Sequence, residues 1–219
     1  MAETSRPLPR TAWLGYSLVF SILGLAVFVS ILQNERRQKM ELPVIGQVAD
    51  FTLTNQDGNI STLADLTNHV WLADIVFTRC AGPCPRMTQQ MKSVEDLLLK
   101  ESDARLVTLT TDPEFDTPEQ LKKFGGHFGA DFSRWTFLTG EKLQIGLLAA
   151  NSLKLAAQPV KPGDQKDAAD LFIHTTIFTV VDKHARLRGS FETAGDGVDW
   201  TNDVLPKIIA TVHQLEDEP

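Results

Sequence analysis

The chain has 219 residues, 42% of them hydrophobic, which is enough for one domain with a sizeable core once a long apolar segment is set aside. A formal net charge of −7 excludes a nucleic-acid binder, which needs a basic face to neutralise phosphates. The 2 cysteines lie four positions apart, so they cannot build the multi-bridge framework of small secreted domains, and their use is local.

Residues 1–11 form a short tail. From Ala12 to Leu32 the run AWLGYSLVFSILGLAVFVSIL carries no charge and, at roughly 1.5 Å per residue, is long enough to cross a hydrocarbon core. It predicts one N-terminal transmembrane helix, an uncleaved anchor, because Gln33-Asn34-Glu35-Arg36-Arg37 follows it rather than a small-residue cleavage site. Arg6 and Arg10 precede the run while Arg36, Arg37 and Lys39 follow it, so charge counting does not orient it. Residues 33–49, with Pro43 and Gly46, read as a tether, and the folded domain is expected over 50–219.

Phe51 to Leu53 and Ile60 to Thr62 flank an Asp57-Gly58 turn and predict two short strands. Trp71 to Phe77 is an almost continuous apolar run, the pattern of an interior strand. From Cys84 the period changes: Met87, Met91, Val94 and Leu98 recur at helical spacing and predict a helix over 84–99. Arg105 to Thr110 is the next strand, and Thr117-Pro118-Glu119-Gln120 supplies a cap and a proline that start a helix at 118. A strand over 135–138, a helix over 141–153, a strand over 176–181, its hairpin partner over 187–191 and a helix near 200–215 complete the chain. The order predicts an α/β fold, a mixed sheet covered by helices on both faces; the β-hairpins at its start and end match the thioredoxin-like arrangement better than a doubly wound dinucleotide fold. No glycine-rich phosphate loop occurs.

The sharpest chemical signal is Phe77-Thr78-Arg79-Cys80-Ala81-Gly82-Pro83-Cys84-Pro85, placed where a buried strand ends and a helix begins. Unsatisfied N–H groups and the helix dipole favour thiolates there, which makes Cys80 and Cys84 metal ligands or a redox pair. A structural disulfide is the plainer alternative, but so short a loop restrains little of the unfolded chain. Of the histidines, His69, His127, His184 and His213 read as solvated, whereas His174 stands at the start of an apolar strand after a loop rich in Pro, Gly, Asp and Lys. On pattern alone it reads as a structural residue before it reads as a ligand. Met87 and Met91 read as core at their helical spacing rather than as soft ligands. A peroxidatic Pro-x-x-x-Thr-x-x-Cys pattern is missing, and the segment Leu171 to Phe178 lacks the proline of a plain thioredoxin.

FTRCAGPCP, the later TTDPEFDTPE from Thr110 to Glu119, and a histidine ninety positions after Cys84 leading into FTVVDKHARLRG resemble the Sco/SenC family of copper chaperones for cytochrome c oxidase. The likeness runs from about Pro43 to the C-terminus. It implies that Cys80, Cys84 and His174 together hold one copper per domain; two soft thiolates and an imidazole suit Cu(I), and Cu(II) with an added ligand. It implies as partners the copper-site subunit of cytochrome c oxidase and an upstream copper donor, and as location the bacterial inner membrane with the soluble domain in the periplasm. It leaves two functions open: copper delivery to the binuclear copper centre, or thiol:disulfide reduction of that centre's cysteines through Cys80 and Cys84. Asp112 reads as a turn residue before Pro113 or as support for the site, and Asp116 as a neighbour of the capping Thr117. Many relatives carry an acidic residue between the cysteines and another before the histidine, where this chain has Ala81-Gly82-Pro83 and Ile173.

Overall fold

A computed structural model of the chain describes residues 20–30, 42–98, 102–155 and 175–218. It divides into two units, residues 1–42 and a compact unit from Pro43 to Pro219. In the first, 20–30 is helical (α1). Among the described residues no helix is long and apolar enough to cross a membrane, and the rest of the expected span 12–32 lies outside them.

The compact unit starts seven residues earlier than expected. Val48 is buried, and a short strand β1 (Gly46–Gln47) pairs with the hairpin strand β8 (Arg186–Glu192), Gly46 facing Leu187. Chain between 43 and 49 is therefore part of the domain and not tether. The remaining strands are β2 (Thr52–Asn55), β3 (Ile60–Thr62), β4 (Trp71–Val76), β5 (Arg105–Thr110), β6 (Trp135–Thr139) and β7 (Ile177–Val181). Among the described residues they form one eight-stranded sheet in the order β1-β8-β7-β4-β5-β6-β2-β3. β4, β5 and β6 are parallel neighbours at its centre, and β7 runs antiparallel to β4.

Side chains alternate across the pleat and build two cores. Trp71, Ala73 and Ile75 of β4 join Val107, Leu109 and Leu138 on one face, packed against Ile145, Leu148 and Ala149 of the segment that begins as α4 (Lys142–Leu147). The predicted helix over 141–153 is only partly α-helical, because it widens to a π-helix over Leu148–Ser152. The other face receives α2 (Cys84–Leu98), α3 (Pro118–His127) and α5 (Leu205–Asp217), the last preceded by a π-helical turn over Trp200–Val204. There Phe178 meets Trp200 edge-on at 5.8 Å, and Phe137 meets Phe124 edge-on at 6.4 Å. Helices on both faces of a mixed sheet agree with the expected class.

Two adjacent glycines of α3 give a paired prediction. A Cβ on Gly125 would lie 2.7 Å from the Phe137 ring and 2.9 Å from the Phe132 ring, whereas one on Gly126 would meet nothing within 4 Å. Gly126→Ala should raise stability by about 0.5–1 kcal/mol through helix propensity alone, and Gly125→Ala should lower it by about 1–2 kcal/mol because overpacking outweighs that gain. Urea melts of the two variants check the opposite signs.

Candidate metal centre

The Cys loop hangs from the C-terminal end of β4, the most buried strand, whose six residues are all buried. Phe77–Pro83 turns the chain and α2 starts at Cys84. The Cys80 N–H donates to the Phe77 carbonyl at 3.2 Å, and the Gly82 N–H donates to Cys80 Sγ at 3.3 Å. The Met87 N–H closes the first helical turn onto the Pro83 carbonyl at 3.0 Å. Cys80 and Cys84 are free thiols, 8% and 3% exposed, clustered with Val76, Phe77 and Phe124.

The helix terminus does not lower the Cys84 pKa as the sequence led us to expect. Burial pushes this thiol up, the hydrogen bond with the Cys80 thiol and the negative charge of Asp74 push it further, and a backbone hydrogen bond at Phe77 only partly opposes them. Cys84 is therefore protonated at neutral pH, and its alkylation by iodoacetamide, followed by tandem mass spectrometry, should quicken with pH between about pH 7 and pH 10. A rate independent of pH would contradict this electrostatic picture.

Asp74 was hidden in the apolar run of β4. It is 0% exposed, accepts the Thr108 hydroxyl at 2.6 Å through Oδ1, and has no partner for Oδ2 among the described residues. Trp135 Nε1 donates in turn to Thr108 Oγ1 at 2.9 Å. Burial pushes the Asp74 carboxyl up to about 7 against the lowering effect of Thr108. A charged residue inside a continuous apolar strand was the sequence signal for it.

Asp112 and Asp116 both act on the Cys loop. Asp112 closes a turn, its carbonyl accepting from the Phe115 and Asp116 amides at 3.1 and 2.8 Å, while its carboxylate pairs with Arg79. The Arg79 guanidinium also lies 4.1 Å over the Phe115 ring. Asp116 is not a mere neighbour of the cap: Thr117 accepts from the Gln120 N–H by its own hydroxyl, and the Asp116 side chain is buried against Thr78 and Thr110. Met87 and Met91 are buried, as their spacing predicted.

His174, the third expected donor, lies outside the described residues, and among those described no group of three or more His, Cys, Asp or Glu side chains is arranged to hold a metal ion. The residues that follow it, from Thr175, are described. The β4–β7 register, Trp71 to Val181 and Ala73 to Thr179, sets the start of β7 level with the end of β4, where the Cys loop begins. Thr175 donates its hydroxyl to the Leu155 carbonyl, and Thr193 binds the Thr176 carbonyl through its N–H at 2.6 Å and its hydroxyl at 2.9 Å. From α2, Gln90 donates to the Thr193 carbonyl at 2.9 Å, which ties the helix that opens with Cys84 to this strand end. Of the other histidines, His69 Nδ1 lies 2.9 Å from Asp103, His213 lies 3.4 Å from Glu216 and His127 is exposed.

The model of the SCO1/SenC family matches residues 43–208. A curated relative, the SCO1 protein homolog of Bacillus subtilis (strain 168), is 38% identical over 146 residues, covering 66% of this chain and 72% of its own. A solved structure of BsSco, described as a member of the Sco family of cytochrome c oxidase assembly proteins, superposes with a TM-score of 0.67 at 31% identity, covering 82% of this chain and 100% of that one. The structure of Bradyrhizobium japonicum ScoI with copper bound shares the fold, with a TM-score of 0.58 at 21% identity over 78% of this chain and 99% of that one.

Proposed function

The chain belongs to the SCO1/SenC family, and from that premise we propose that it is a membrane-anchored copper-binding factor that delivers copper to the binuclear copper centre of cytochrome c oxidase. One observation carries the reading: two free, buried thiols stand at the start of α2, at the end of β4, beside the start of the strand that follows His174.

In this reading Cys80, Cys84 and His174 hold one copper. Soft sulfur donors favour Cu(I), the imidazole adds a donor acceptable to either oxidation state, and the apolar side chains of Val76, Phe77 and Phe124 pack against the two sulfurs. The copper is cargo, so the protein's task is to take it from an upstream donor and yield it to the oxidase subunit. The high pKa of Cys84 couples both steps to a proton: binding expels the thiol proton, and release takes one back. We assign the anchor to residues 12–32 on the strength of their uncharged apolar run, and place the domain in the periplasm of a bacterium.

The second reading is a thiol:disulfide reductase acting on the same target. A Cys thiolate attacks one sulfur of the target disulfide and expels the other as a thiolate; the second Cys then resolves the mixed disulfide. Two electrons and two protons pass to the target, and Cys80–Cys84 becomes the disulfide. The proximity of the two thiols to each other supports it.

The test mixes the full-length chain with a fragment of the oxidase copper-site subunit. Copper-loaded chain is expected to transfer its metal to the reduced, metal-free fragment. Failure of transfer, together with stoichiometric reduction of the oxidised fragment by the metal-free chain, would establish the reductase instead.

A further inference from the structure

We propose that Asp116 is the positioning residue of this site: its buried carboxylate latches the end of β4 and so fixes where Cys80 stands. The inference rests on the copper reading and adds a residue that need touch neither copper nor a thiol.

Asp116 is 0% exposed, and three donors converge on it: the Thr78 N–H at 3.1 Å, the Thr78 hydroxyl and the Thr110 hydroxyl. A buried carboxylate is tolerated when such donors replace its lost water, so the cluster is self-consistent without a cation. The origin of the donors gives it meaning. Thr78 lies two residues before Cys80 and is held through both its main chain and its side chain. Thr110 ends β5 and also accepts the Asp112 N–H at 3.0 Å, while Asp112 grips Arg79. Consecutive residues 78 and 79 are therefore fastened to a single turn over 110–116, and Cys80 is the first residue beyond the fastening. Cys84 is fixed separately, by the first turn of α2. The relative placement of the two sulfurs thus depends on the latch on one side and on a helix on the other. Helix capping does not explain Asp116, since Thr117 performs that role alone.

Three substitutions test it in the full-length chain. Thr78→Val keeps the shape of the side chain and removes its donor, Thr78→Ser restores the donor, and Asp116→Asn puts an amide donor where an acceptor is required. Competition with a chromophoric Cu(I) chelator gives affinity, and the thiolate-to-Cu(II) charge-transfer band reports donor geometry. Thr78→Val and Asp116→Asn are each expected to weaken Cu(I) by at least roughly tenfold and to move the band, with Thr78→Ser within about threefold of the parent, as for removal of outer-shell support. Their double variant should be no weaker than the worse single one, because both break the same contact. In the metal-free chain carrying Cys84→Ser, adding Thr78→Val should speed Cys80 alkylation at least about threefold, since a loosened loop exposes the sulfur.

A Thr78→Val chain with parental affinity, band and alkylation rate would overturn the latch. Should Asp116→Asn fail to fold, Thr78→Val and Thr110→Val decide. A parent that binds no copper would defeat the copper reading, and the alkylation rates would then decide the latch alone.

Discussion

Replacing Cys80 or Cys84 by serine should lower Cu(I) affinity by much more than the roughly 10–100-fold that loss of an outer-shell partner costs. A hydroxyl is a hard, protonated donor, and the change removes one of only two thiols that the chain has. His174→Ala should cost less for Cu(I) and more for Cu(II), because imidazole matters most to the harder ion. Chelator competition for Cu(I) and direct titration for Cu(II) on the full-length chain check the order. A Cys84→Ser chain that binds Cu(I) like the parent would remove the helix-borne thiol from the site, and its burial at 3% exposure would then be mere packing.

The second large effect concerns Asp74, whose carboxyl is pushed up to about 7 by complete burial. Below about pH 4 folded and unfolded chains both hold its proton, and the group contributes no difference. Between about pH 4 and pH 7 the folded chain keeps a proton that the unfolded chain has released, so stability falls as pH rises; above about pH 7 the cost levels off. A shift from 3.8 to about 7 corresponds to a cost on the order of 4 kcal/mol at the plateau. Asp74→Asn should remove this slope. At about pH 8 it should leave the protein more stable than the parent by a few kcal/mol, less the roughly 1–3 kcal/mol of an amide group without a partner at the Oδ2 position. Urea melts of parent and variant across this range give the difference directly, and a variant with the parent's slope would show that Asp74 is not the group responsible.

Local signals in the sequence were strong where the chemistry is local. The apolar runs of β4 and β5, the change of period at Cys84 and the Thr117-Pro118 start of α3 all lie where the residues predict. What escaped depends on pairing across the sheet. β1 has two residues and no period of its own, and it exists only because Gly46 and Gln47 pair with β8 some 140 positions later. The widening of the helix at Leu148–Ser152 leaves the apolar pattern intact and so left no mark. In the site, the Cys pair was plain from its loop, but Asp116 looked like part of a helix start because its partners, Thr78 and Thr110, come from the Cys loop and from the end of β5. The Cys84 thiol was misjudged for the same reason: the helix terminus is visible in sequence, while the burial and the Asp74 charge that outweigh it are visible only in the fold.

The central claim is that two sulfurs and one imidazole of this chain bind the same copper. X-ray absorption of the Cu(I)-loaded full-length chain tests it most directly. The account predicts a shell of two sulfur scatterers and one nitrogen scatterer, with the nitrogen lost in His174→Ala and both sulfurs kept. An identical sulfur-only shell in parent and variant would contradict it.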